Sequence, residues 1–384
     1  MILLITAAVA FSLLVLAWVI YPAALRLRAG STRAEAVETG GPDERVAVIL
    51  ATRDDPAFAV TRVQNLRAND YPESLLRVVV GVDVNSMFPL DAYRQVLAGL
   101  ADVVPGDAGG GKALTLNAAV RTATGADVLV FADVGQEFNR EAIGILVAAL
   151  RDGTRGAATG RYTHGRQDGI MSAYADLEAL IRSGQSAGRS VVSATGAILA
   201  LRPALWKDMP AGLICDDLFT GLSVVRQGSR VVFCPEAVAY DPRTFTRDQQ
   251  FARRVRTLTG LIQYCMIAPA ALFPWSNPVW GHFFIHKILR LLTPLLFAVA
   301  VVSAGAWLVP RAPFVVIGAV AAAAGIAGAI WLFSPEKFRK LRDHVIWAFR
   351  LMLVPILAIA NGIRGRWSVW GPTPQVRATP HPGA

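Results

Sequence analysis

The chain has 384 residues, 54% of them hydrophobic and 17% charged, and its 38 Lys and Arg outnumber its 28 Asp and Glu to give a net charge of +10. So apolar a composition excludes an ordinary soluble enzyme, and the excess is concentrated in a few uncharged runs. The positive balance suits anionic lipid and phosphate groups; no nucleic-acid motif accompanies it, so no nucleic-acid partner is expected.

Residues 1–25 carry no charged side chain, enough to cross the ~20 residues' depth of a bilayer core. No basic segment precedes them, so they read as an anchor rather than a cleaved leader. Arg26, Arg28 and Arg33 follow at once, which by the positive-inside rule places residues from about 30 onward in the cytoplasm. The polar, Gly-rich stretch up to residue 44 reads as a linker.

Val46-Ala47-Val48-Ile49-Leu50 is then a buried strand giving way to Thr52-Arg53-Asp54-Asp55, with a helix expected over 60–69. Arg77-Val78-Val79-Val80-Gly81-Val82 is a second strand ending at Asp83. Gly109-Gly110-Gly111-Lys112 precedes a helix over 114–124 that bears Asn117; taken alone the glycine run reads as a solvated loop, although a Lys after glycines can meet a phosphate. A third strand over 127–132 ends at Asp133. This alternation predicts a parallel sheet covered by helices, and acids at the carboxyl ends of three strands mark the place where such sheets bind ligands.

A further strand, entered through small residues, spans 193–202, either in the sheet or at its edge. Asp216-Asp217 lies between apolar residues. Taken alone the pair reads as a helix start, where the dipole favours acids, although a carboxylate beside apolar residues can also be poised as general base. Residues 251–273 mix basic and apolar positions at helical spacing, for a helix on the membrane surface or packed on the domain. Uncharged runs at 291–310 and 312–335 predict two crossings, joined at 336–343 to a solvated cytoplasmic connection. A shorter run at 351–363 is either a fourth crossing or an interfacial segment. Cys215, Cys234 and Cys265 show neither metal spacing nor a disulfide framework, as expected in a reducing compartment.

In this order the pieces resemble a membrane-bound family 2 glycosyltransferase, of the group containing cellulose, hyaluronan and poly-N-acetylglucosamine synthases. The motifs that carry the resemblance are the strand running into Thr52 and Asp55, Gly111-Lys112 with Asn117, and Val130-Phe131-Ala132-Asp133. Thr195-Gly196, Asp216-Asp217 with Gly228, and the entry into the membrane at His286-Lys287-Ile288-Leu289-Arg290 complete them. The resemblance implies an α/β GT-A domain, Rossmann-like and nucleotide-sugar-binding, with transmembrane α-helices. It divides the chain into an anchor at 1–25, a linker at 26–44, the GT-A domain at 45–248, interface helices at 249–282, two or three membrane helices at 283–363 and a polar tail at 364–384.

It further implies an inverting hexosyltransferase at the cytoplasmic (inner) membrane, with its catalytic domain facing the cytoplasm. The donor would be a UDP-sugar, the acceptor a saccharide or a lipid-linked sugar, and the wider partners membrane lipid and polysaccharide-export proteins. Thr52, Asp55 and Asp83 would face the nucleotide, Lys112 its diphosphate, and Asp133 the Mg²⁺ or Mn²⁺ that bridges the phosphates. Asp217 would be the base with Asp216 beside it, Thr195 and Gly196 would line the acceptor end, and Gln250, Arg253 and Arg256 would meet acceptor or diphosphate. Two departures stand out. Asp133-Val134-Gly135 lacks the second acid of Asp-x-Asp, leaving Asp133 alone or with Glu137, and the Trp of the processive Gln-x-x-Arg-Trp motif is absent. The reduced metal motif leaves a non-catalytic nucleotide-binding subunit as the alternative.

Overall fold

Val46-Ala47-Val48-Ile49-Leu50 is apolar on both faces, as a strand covered on both sides must be, and it lies at the middle of the parallel part of an eight-stranded sheet. The computed structural model describes residues 1–31, 43–164 and 169–367. The described chain forms two compact units. One is built from Pro22–Thr246 with Gly260–His282, the other from Met1–Tyr21, Arg247–Thr259 and Phe283–Arg366.

The sheet belongs to the first unit. Its strands are β1 (Val46–Thr52), β2 (Leu76–Val82), β3 (Asp102–Pro105), β4 (Val128–Ala132), β5 (Glu137–Phe138), β6 (Arg155–His164), β7 (Ile198–Leu201) and β8 (Arg230–Asp241), in the order β3-β2-β1-β4-β7-β6-β8-β5. β1 pairs in parallel with β2, Thr52 opposite Val82, and with β4, Val46 opposite Val128. β2 and β3 are also parallel. The observed sheet is not wholly parallel as expected: β6 and β8 also pair in parallel, but β7 runs antiparallel to both β4 and β6, and β5 antiparallel to β8. β7 is an interior strand, buried at all four positions, and not a sheet edge.

Val48, Leu50, Val78, Val80 and Val130 form a continuous core with Ala59, Val63 and Leu66 of the Pro56–Arg67 helix and Ile143 and Leu146 of the Ala142–Ala149 helix. Each fully buried aliphatic side chain there contributes about 1.5–3 kcal/mol. The Pro56–Arg67 helix begins four residues ahead of the expected start, because Asp55 accepts from the Ala57 N–H at 2.9 Å and Pro56 follows with its φ already helical.

Three described helices are long and apolar enough to cross a membrane: Ile2–Gly30, of which residues 2–21 belong to the second unit, and Pro313–Phe333 and Pro335–Ile363, which lie wholly in it. A fourth candidate is the pair Trp280–Leu289 and Thr293–Leu308, bent by 66°. The first helix continues to Ser31, so residues 26–31 are helical rather than linker; 32–42 lie outside the described residues, as does the tail from 368. Residues 336–343 are not a separate connection. Pro335 starts a helix that runs through them and on through 351–363, so the expected loop and the fourth short run are one element. Residues 251–267 fall in the Arg247–Ile267 helix, followed by a 3₁₀ turn at Pro269–Leu272.

Candidate functional site

Because β2, β1 and β4 are adjacent and parallel, their carboxyl ends bring Asp83, Thr52 and Asp133 to one edge of the sheet. Asp83 is buried, and its two carboxylate oxygens are both in use. Oδ1 accepts from the Asn85 N–H and Oδ2 from the Gly111 N–H, each at 3.0 Å. Gly109, Gly110 and Gly111 have φ of +99°, +69° and +92°, and a side chain on Gly110 would run into Asn85 and approach Asp83 Oδ1 to 2.8 Å. The glycine run is thus an anchored turn rather than a solvated loop, and Asp83 is its anchor. Thr52 supports the same turn: its carbonyl accepts from Asp83 N–H at 2.8 Å.

That turn delivers Lys112 as the first residue of the Lys112–Thr122 helix. Its ammonium lies 2.8 Å from Asp133 Oδ1 and 2.7 Å from Asp216 Oδ2. Burial works against both charges, but the pairing outweighs it, so the Lys112 pKa is raised and the Asp133 carboxyl is held below the usual carboxylate range. Asp216 and Asp217 open the Asp216–Arg226 helix, as the helix-start reading expects, with both acids in its first turn, where the dipole favours them. Asp217 Oδ1 accepts from the Leu218 N–H at 2.8 Å.

Lys112, Asp133, Gly196, Asp216 and Asp217 line one pocket, closed by Leu116, Phe131, Leu199, Met209 and Thr220. A side chain on Gly196 would sit 3.4 Å from Asp217 Cβ. Asn117 fixes the Met209 wall by bonding both its N–H and its carbonyl, at 3.0 and 2.9 Å. Thr52, Asp55, Asp83 and Thr195, expected at the site from the sequence, do not line this pocket. Thr195 Oγ1 instead accepts from Arg182 Nη1 at 2.8 Å, and its N–H donates to Thr159 Oγ1 at 2.8 Å. Gln250, Arg253 and Arg256 are on the Arg247–Ile267 helix, in the stretch that belongs to the second unit.

A second charged cluster flanks Asp133, and sequence reasoning missed it. Asp241 ends β8 fully buried; Arg243 Nε and Nη2 donate to its two oxygens at 2.8 Å each, and Tyr162 Oη donates at 2.6 Å. Gln136 Nε2 completes the set at 3.2 Å. Burial opposes the Asp241 charge, yet these bonds hold its carboxyl below the usual range. Arg62 is also buried, which pushes its guanidinium down to about 9, and its Nε donates to the Asp133 carbonyl at 3.0 Å. The only sequence signal for this cluster was the missing acid at Gly135.

Among the described residues no group of three His, Cys, Asp or Glu side chains is placed to hold a metal. Glu137, the other acid considered, is in the strand pair opposite Tyr240. Asp133, with Oδ1 facing Lys112, is a single carboxylate, and a hard cation whose shell is completed by phosphates and water needs few protein carboxylates.

Residues 42–260, more than half of the chain, match the family described as glycosyltransferase like family 2. No curated protein sequence matches the chain. Among solved structures, the mannosyltransferase PcManGT from Pyrobaculum calidifontis, in complex with GDP-Man and Mn²⁺, has a TM-score of 0.69 at 21% identity, over 94% of this chain and 99% of that one. S. aureus TarS in complex with UDP matches at a TM-score of 0.39 and 17% identity, over 57% and 65% of the two chains. A GT-A sheet with acids at the carboxyl ends of its parallel strands, matched by the family over 42–260, makes this chain a member of glycosyltransferase family 2.

Proposed function

We propose that the chain is an inverting hexosyltransferase that moves a sugar from a nucleoside-diphosphate sugar to the hydroxyl of a saccharide or lipid-linked acceptor at a membrane. The observation that carries this reading is Lys112 held between Asp133 and Asp216 in a pocket whose wall includes Asp217. An ammonium has three donors. Two are used by the carboxylates, and the third remains for a phosphate oxygen of the donor.

Asp217 takes the proton of the acceptor hydroxyl as its oxygen attacks the anomeric carbon from the face opposite the leaving group. The bond from that carbon to the diphosphate oxygen breaks, and the nucleoside diphosphate leaves with the electron pair. Lys112 meets the developing negative charge, which is where a preorganised cation contributes most. A divalent cation at Asp133 would neutralise further phosphate charge when bound. One displacement inverts the anomeric centre and needs one base, so Asp216, paired to Lys112, is left to hold that cation in place.

The resemblance in sequence favours a UDP-sugar, whereas the solved mannosyltransferase carries GDP-Man, so both bases are donor candidates. The apolar helices, with Arg26, Arg28 and Arg33 after the first, support a cytoplasmic-membrane protein whose catalytic unit faces the cytoplasm, in contact with lipid and with export partners of a polysaccharide. Absence of the processive Trp favours a short product over a long chain.

The test is nucleoside-diphosphate release by the full chain in detergent, with Mg²⁺ or Mn²⁺ and a panel of UDP- and GDP-sugars. Turnover with at least one donor is expected. Nucleotide binding without turnover on any donor would replace this reading with a non-catalytic nucleotide-binding subunit.

A further inference from the structure

Asp-x-Asp places two acids around a cation, and here the second is Gly135. A Cβ added at Gly135 would fall 2.6 Å from Arg243 Nη2, and closer still to Cζ and Nη1. The guanidinium lies against the backbone where the missing acid's side chain would begin. A positive group occupies the place where that second acid's side chain would begin.

Arg243 is built in rather than draped there. Its own N–H donates to Asp241 Oδ1 at 3.0 Å, and Nε and Nη2 complete a two-pronged pair with a carboxylate that has no solvent exposure. Tyr162 and Gln136 hold that carboxylate from the other side. Nη1 makes no hydrogen bond with any described residue, so donors remain on a cation whose position is fixed. Arg243 is close enough to Asp133 to lower its pKa along with Lys112. A planar fork with spare N–H groups matches phosphate oxygens.

We propose that Arg243 is a donor-diphosphate ligand that takes over part of the metal's role, and that Gly135 is glycine so that the guanidinium can lie there. Nucleoside diphosphate then binds this chain with a component that survives removal of divalent cations. The proposal rests on the donor-site reading above and adds to it a residue and a reduced dependence on metal.

The experiment is calorimetric titration of UDP and of GDP into the full chain in detergent, once with Mn²⁺ and once with EDTA. Wild type is expected to keep binding one of them in EDTA. Arg243→Gln is expected to weaken that EDTA binding at least tenfold, and Arg243→Lys to recover part of it. Gly135→Asp, which expels the guanidinium and restores the acid, is expected to abolish EDTA binding while binding in Mn²⁺ persists. Thermal unfolding of each variant identifies loss of fold; should Arg243→Gln not fold, the Lys variant and Gly135→Asp decide. Wild-type binding that vanishes in EDTA, or EDTA binding unchanged in Arg243→Gln, overturns the proposal alone. No binding of either nucleotide by wild type in either condition overturns the donor-site reading, and this proposal with it.

Discussion

Of the three cations around Asp133, Lys112 and Arg243 are held in opposite ways. Lys112 bridges carboxylates from two separate elements, Asp133 after β4 and Asp216 at a helix start, with about a quarter of its side chain exposed, at 28%. Arg243 is tied to one carboxylate two residues away, and Asp241 is fully buried. Lys112 can trade a partner for an incoming phosphate, because its point charge tolerates many geometries. Arg243 cannot leave Asp241 without stranding a buried charge. The difference teaches that this site combines a responsive cation with a fixed one.

The largest effect should come from the responsive side. Asp217→Asn removes the proposed base and leaves both cations in place. Turnover should fall ~10²–10⁴-fold, with nucleoside-diphosphate affinity little changed. Steady-state rates beside calorimetric affinities on the same preparation check this. Wild-type turnover in the variant would move the base to another group and remove the reason for placing the acceptor beside Lys112.

Next is the fixed side. Asp241→Asn removes the charge that holds Arg243, at a position with no solvent contact. Breaking a buried pair in this way costs ~3 kcal/mol, to be read as a lower denaturant midpoint at unchanged slope. An unchanged midpoint would show that Arg243 is not clamped and would erase the contrast with Lys112.

A smaller effect, but one with a sign, separates the clusters by pH. Asp133 is held below its ordinary pKa in the folded chain, despite burial, by Lys112 first. Its contribution to stability is therefore present above the unfolded value, about 3.9, and is lost as pH falls through the lower folded value. Lys112→Met reverses this. Burial then acts with less opposition and raises the carboxyl, so the folded state binds more protons than the unfolded one and stability falls as pH rises from about 4 to 7. Thermal midpoints across that range should slope upward with pH less steeply, or downward, in the variant. Parallel profiles would mean that Lys112 does not govern Asp133.

The responsive cluster was legible in the sequence and the fixed one was not, for a physical reason. β1, β2 and β4 are dense runs of Val, Ile and Leu, and each ends near an acid, so both this parallel part of the sheet and the edge where its acids gather could be read off. β6 is Arg155-Gly156-Ala157-Ala158-Thr159-Gly160 at its start, and β5 is two residues long. Small residues and short strands carry little periodic signal, so the part of the sheet beyond β7 was hidden, and with it the end of β8 that sets Asp241 and Arg243 beside Gly135. Lys112 was visible because its glycines precede it in the chain. Arg243 meets Gly135 only through the fold, across more than a hundred positions of sequence.

Asp55 tests how far an acid at a strand end can be trusted as a ligand, and its expected effect is the smallest. Asp133 reached the pocket, whereas Asp55 is exposed and spends a carboxylate oxygen on the Ala57 N–H as the cap of the Pro56–Arg67 helix. If capping is its work, Asp55→Ala costs about 1 kcal/mol of stability and leaves UDP and GDP affinity alone, and Asp55→Ser, another good cap, restores most of the loss. If it also meets the nucleotide, affinity falls in both variants while Ser recovers stability only. Measuring midpoint and affinity on the same two proteins separates the outcomes. The first would confine the charged half of the donor site to the two clusters around Asp133; the second would extend the site across β1 and give the first strand's acid a role that its hydrogen bond conceals.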